Sequence, residues 1–140
     1  MGFHLGGPGL VFIGECSLTT NPIAFIIEDD VLVLPIYQAA IQDALYEVFA
    51  FQNGASALEQ LNVMNPVLVI LDMRLPGVPG INILQMIKSE ERFENTRVIV
   101  VSADTTLTEY IREKADLVLL KPVGYNQLRE LAARLRPEDI

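Results

Sequence analysis

Short apolar runs recur along the chain from Ile23 onward, each followed by polar residues and then by apolar positions at helical spacing. "IAFII" leads into "EDD" and then a stretch that places Ile36, Tyr37, Ala40, Ile41, Ala44 and Leu45 on one face. "EVFAF" precedes "ASALEQL", and "PVLVIL" precedes "INILQMIK", with Ile83, Leu84 and Ile87 on one side. "RVIVV" and "ADLVLL" supply two more strands. In "TTLTEYIREK", Thr106 and Glu109 have capping-box spacing, with Leu107, Tyr110 and Ile111 facing inward. In "YNQLRELAARL" the inward set is Leu128, Leu131, Ala132 and Leu135.

Five strands alternating with helices, three of the strands nearly continuous in apolar residues, predict a parallel sheet covered on both faces. The expected fold is a doubly wound (βα)5 domain with strand order 2-1-3-4-5. Residues 1–22 hold five of the nine glycines, with Pro8 and Pro22, and show no helical or strand period of useful length. The expected organisation is therefore a flexible leader or extension over 1–22, the domain over 23–136, and a tail over 137–140. His4 and Cys16 lie in the leader and receive no role.

Composition adds a polarity to this pattern. Of 140 residues, 51% are hydrophobic and 20% charged, enough for one core, and the net charge is −8. Residues 1–73 contain no Lys or Arg and eight acids; all ten basic residues lie from Arg74 onward. That distribution speaks against a nucleic-acid footprint in the first half and favours a cation or a basic partner. The single cysteine excludes an intramolecular disulfide. The run Leu10 to Ile13 is too short to span a membrane, and no basic residue precedes it as a secretory signal requires. A cytoplasmic protein without membrane contact is the expectation.

In an open parallel sheet, ligands bind beyond the carboxyl ends of the strands. The residues there are Glu28-Asp29-Asp30 after the first strand, Asp72 after the third, Ser102 after the fourth and Lys121-Pro122 after the fifth. Each has a plain structural role open to it alone: helix capping for the acids, a turn for Asp72 and Ser102, surface charge for Lys121. Together they gather carboxylates that repel one another unless a cation or a proton sits among them. Mg²⁺, which takes oxygen ligands and works with one or two carboxylates plus phosphate oxygens, answers that need. A carboxylate beside it can act as a nucleophile and form an aspartyl phosphate.

From Ile23 to about Arg136 the sequence resembles the receiver domains of two-component response regulators, on "FIIEDD", "VILDMRLPG", "VVSAD" and "LLKPV" in order. The resemblance implies that Asp72 is the phospho-acceptor, that Glu28 and Asp29 hold Mg²⁺ together with Asp72, and that Arg74 offers its backbone carbonyl. It makes Ser102 the switch hydroxyl and Lys121 the residue that pairs with the phosphoryl group. The partner it implies is a sensor histidine kinase or a histidine phosphotransfer protein, with homodimerisation as one assembly the family uses. The activity is then a population shift of the region after the fourth strand, not turnover of a metabolite.

Three features depart from that pattern. Val118 stands where receivers carry an aromatic three residues before the lysine, and Lys114 stands where a glycine usually closes the fourth helix. The segment from Ser102 to Lys121 is also shorter than typical, by about three residues. These keep a second reading open, a receiver-like interaction domain that works without phosphorylation. An aspartate-nucleophile phosphatase would carry a second aspartate at Arg74, and a flavin-binding domain would want a phosphate cradle where "EDDVLVLP" stands.

Overall fold

The computed structural model describes residues 10–13 and 17–137. Two short strands, β1 (Leu10–Ile13) and β2 (Ser17–Thr20), pair antiparallel with each other and belong to no larger sheet. They fall within the stretch expected to have no strand period. Four residues allow at most two alternations, and "LVFI" has none, so the pattern that marks longer strands is missing there.

The domain proper begins with β3 (Ile23–Ile27) and continues through α1 (Leu34–Asp43), β4 (Glu47–Phe51), α2 (Gly54–Leu61), β5 (Leu68–Asp72) and α3 (Gly80–Ser89). A short 3-10 turn at Glu91–Phe93 precedes β6 (Arg97–Ser102), α4 (Glu109–Lys114), β7 (Leu117–Leu120) and α5 (Tyr125–Leu135). The five strands β3 to β7 pair in parallel in the order β4-β3-β5-β6-β7. This is the 2-1-3-4-5 order expected from the sequence, counted from β3.

Alternate residues of each central strand point to opposite faces, which gives two cores. Ala24, Ile26, Leu68, Ile70, Ile99 and Val101 meet α1 and α5 through Tyr37, Ile41, Leu128 and Ala132. Phe25, Ile27, Val69, Leu71, Val98 and Val100 meet α2, α3 and α4 through Leu61, Ile83, Leu84, Ile87 and Ile111. Every residue of β5, Asp72 included, is buried. The nucleophile candidate therefore stands at the end of the most enclosed strand in the sheet.

Three helix readings are corrected. Ile36 and Leu45, expected on the inward face of α1, are 46% and 56% exposed. The helix ends at Asp43 and Leu45 turns out of it with φ +72°, so the periodicity no longer governs its direction. The capping residue of α4 is Thr108, whose Oγ1 accepts from the Ile111 amide at 3.4 Å, and not Thr106. Thr106 is held one turn earlier, where its amide and hydroxyl both donate to Asp104 Oδ1. Of its expected inward set, Ile111 is buried, while Leu107 and Tyr110 are half-buried against the same core.

Candidate functional site

The strand ends converge as the topology requires. Glu28 and Asp29 follow β3, Asp72 ends β5 beside it, Ser102 ends β6, and Lys121 follows β7. Carboxylate oxygens of Glu28, Asp29 and Asp72 lie within 4.8 Å of one another. The Lys121 ammonium reaches across the sheet edge to Glu28 Oε1 at 3.1 Å and Asp72 Oδ2 at 3.3 Å. Glu28 and Asp72 are almost wholly buried, whereas Asp29 is exposed.

Backbone donors orient these groups. Glu28 Oε2 accepts from the Asp30 amide at 3.1 Å, and Asp72 Oδ1 accepts from the Arg74 amide at 3.0 Å. Asp30 stands apart from the cluster: its Oδ1 accepts from the Leu32 amide at 2.9 Å, the local turn-capping role open to any acid there. The site thus holds three of the four carboxylates that the sequence placed near it. Ser102 is buried, and its Oγ accepts from the Asp104 amide at 3.0 Å.

Burial raises the Glu28 carboxyl above its ordinary range, and the negative charge of Asp72 adds to that, against the Asp30 amide and Lys121, which lower it. Burial alone would lower the Lys121 ammonium, but Asp72 and Glu28 outweigh it and hold the proton more firmly. Tyr37, treated in the sequence only as an apolar face residue, is pushed up to about 12 by burial and then by the charge of Glu28. Its hydroxyl is therefore neutral at physiological pH.

The residues suit a hard divalent cation. Glu28 Oε1 is buried and accepts no hydrogen bond; the Lys121 ammonium stands 3.1 Å from it as an ion-pair partner and donates to Oε2 at 3.4 Å. A clustered all-oxygen set with an unsatisfied buried carboxylate oxygen matches what Mg²⁺ takes. Arg74 sits on the same turn as Asp72, through its amide.

Apolar side chains rim this polar centre. Val31 and Leu32, in the loop after the acids, are 60% and 80% exposed, and Ile36 on α1 is 46% exposed. An open cavity of about 370 Å³ next to Lys121 is lined by Val33, Ile36, Tyr37, Pro122 and Val123 with Asp30. The sequence signal for this rim was present in "VLVLP", apolar residues that follow a run of acids without helical period.

A parallel (βα)5 domain with three carboxylates and a lysine at its strand ends is the architecture of a phosphoryl-accepting signalling module. Residues 24–133 match the response regulator receiver domain, and the chain belongs to that family. It is 31% identical over 121 residues to sporulation initiation phosphotransferase F of Bacillus subtilis, covering 84% of this chain and 95% of that protein. Among solved structures, the signal receiver domain of a LuxO repressor-like protein from Vibrio parahaemolyticus superposes with a TM-score of 0.74 at 26% identity, over 82% of this chain and 89% of that one. A CheY-like receiver domain from Methylobacillus flagellatus shares the fold, with a TM-score of 0.74 at 18% identity over 84% of this chain and all of that one. Receiver domains accept a phosphoryl group, bind Mg²⁺ at an acidic pocket and interact with histidine kinases or phosphotransfer proteins; they are generally not enzymes. Among the described residues no helix is long and apolar enough to cross a membrane.

Proposed function

We propose that this chain is a cytoplasmic receiver whose Asp72 takes a phosphoryl group from a histidine kinase or a histidine phosphotransfer protein. The observation that carries this reading is the placement of Asp72, buried at the end of β5, between two further carboxylates and the Lys121 ammonium at 3.3 Å. A carboxylate oxygen of Asp72 attacks phosphorus, the donor's nitrogen departs with the electron pair of the broken P–N bond, and an acyl phosphate remains. Glu28, Asp29, Asp72 and the Arg74 carbonyl would hold Mg²⁺, which when bound neutralises charge on the transferring group.

The chain's own residues supply the rest. The Arg74 amide fixes one oxygen of Asp72, so less orientational freedom is lost at reaction. Lys121 balances the charge that the phosphoryl group brings. For Ser102 to turn toward that group, its Oγ must release the Asp104 amide, which shifts the loop leading to α4. The apolar rim of Val31, Leu32 and Ile36 suits an apolar helix face presenting the phosphorylated histidine.

Val118, half-buried in the apolar cluster, and a six-residue α4 favour a second reading, an interaction domain that works without phosphorylation. One experiment decides between them. Intact mass after incubation with acetyl phosphate should show a Mg²⁺-dependent gain of one phosphoryl group in the wild type and none in Asp72→Asn. A folded wild-type protein that gains nothing would remove the phospho-acceptor reading.

A further inference from the structure

Gly80 opens α3 with its bare Cα against the chain that carries Asp72. A Cβ at that position would stand 2.6 Å from the Asp72 carbonyl oxygen, 2.8 Å from Met73 Cα and 3.1 Å from the Met73 carbonyl oxygen. All three are backbone atoms, so no side chain can rotate aside to make room. Gly54, the other tightly packed glycine among those described, meets Val78, at its Cβ and its carbonyl oxygen, and the tip of Ile83, none of them on the strand that carries Asp72, while Gly77 and Gly124 face open space.

Neither partner of this contact is free to retreat. α3 is fixed to the sheet by Ile83, Leu84 and Ile87, all buried in one core. β5 is paired on both sides, with β3 as far as Leu71 and with β6 as far as Asp72. The only slack in the circuit is the turn from Met73 onward, and that turn bears the Arg74 amide that donates to Asp72 Oδ1.

We infer that Gly80 is a positioning residue for the phosphorylation site: its missing side chain lets α3 seat on the 72–73 peptide and so sets the turn that aims the Asp72 carboxylate and presents Arg74 to the cation. The inference rests on the reading of Asp72 as phospho-acceptor and extends it to a residue that touches neither donor nor metal. A side chain at position 80 drives its strain into the 72–74 turn, which tilts the carboxylate and moves the Arg74 backbone. Both the cation affinity and the rate of acceptance then fall.

The test compares wild type, Gly80→Ala and Leu61→Ala, a core truncation on α2 that loosens the fold without touching the turn. Mg²⁺ affinity is measured by calorimetry and phosphorylation by initial rate from acetyl phosphate. In folded Gly80→Ala, both are expected to weaken on the order of tenfold or more, as a misplaced reacting group costs, while folded Leu61→Ala keeps wild-type values. Wild-type affinity and rate in Gly80→Ala would overturn the inference. If Gly80→Ala does not fold, the wild-type amide resonances decide: the Gly80 amide should shift with Mg²⁺ at the same dissociation constant as the Arg74 amide, and an unmoved Gly80 would overturn it. A wild type that neither binds Mg²⁺ nor gains a phosphoryl group instead removes the underlying reading, and the inference with it.

Discussion

Leu45 is the one non-glycine residue with positive φ among those described, at +72°. The left-handed region puts a Cβ against the following carbonyl, and helices usually place glycine or asparagine there. Its side chain is more than half exposed, so little burial offsets the strain. Leu45→Gly is therefore expected to raise stability by about 0.5–1 kcal/mol, after allowing for glycine's greater freedom unfolded. Urea denaturation would register this as a higher midpoint at unchanged slope. The same residue shows where sequence reading fails: "DALYE" contains no helix-stop residue, so the apolar period ran on into Leu45 although the helix had ended. Glu28, Asp29, Asp72, Ser102 and Lys121 were legible because side chains at strand ends need only the order of the strands to be placed. Gly80 was not, since a close approach of backbone to backbone leaves no mark in local pattern.

At the scale of elements, the amino-terminal end of the sheet is tied by one carboxylate. Asp116, just before β7, accepts from the Val98 amide at 2.6 Å and pairs with Lys88 of α3 at 3.0 Å and, at 3.5 Å, with Arg97. It joins a helix to the first residues of two strands, and its side chain is only 21% exposed. Asp116→Ala should cost about 2 kcal/mol, because the Val98 amide and Lys88 both lose a charged acceptor. Asp116→Asn should cost less, since its amide oxygen still receives the Val98 N–H. Thermal unfolding of the two variants would separate backbone capping from ion pairing; equal losses would mean that charge carries the whole contribution. The capping box at Thr106 and Glu109 illustrates the matching limit at this scale. Asp104 claims Thr106 first, and competition between neighbouring caps is settled by three-dimensional geometry that spacing alone does not contain.

Across the whole molecule, the fold was legible because β3, β5 and β6 are apolar on both faces, a property that only a covered parallel sheet explains. The antiparallel pair β1–β2 was not, being too short to show a period. The core beneath α1 and α5 contains two buried tyrosines, Tyr37 and Tyr46, and this gives the molecule an alkaline limit. Burial lifts both phenols above their ordinary 10.0, Tyr37 to about 12 with Glu28's charge assisting, and Tyr46 further, against the opposing charge of Arg136. The folded chain keeps protons that the unfolded chain releases, so this contribution is complete below pH 10 and falls as pH rises toward 12 and beyond. Tyrosinate absorbance and the helical circular dichroism signal should change together in that range, and Tyr46→Phe should lower the amplitude of the late absorbance step. Ionisation of both phenols with the helical signal intact would contradict the burial seen here.

The contact of Lys121 with two of the three clustered carboxylates also fixes a charge count. Three carboxylates facing one ammonium leave two formal negative charges at the strand ends. A doubly charged cation brings that centre to neutrality, while a singly charged one leaves it negative and a triply charged one makes it positive. Electroneutrality in a half-buried site thus discriminates among ions before size or ligand geometry is considered. The same count makes Lys121 a silent participant in ion choice: replacing it with a neutral residue would leave three negative charges and tilt the preference toward trivalent ions.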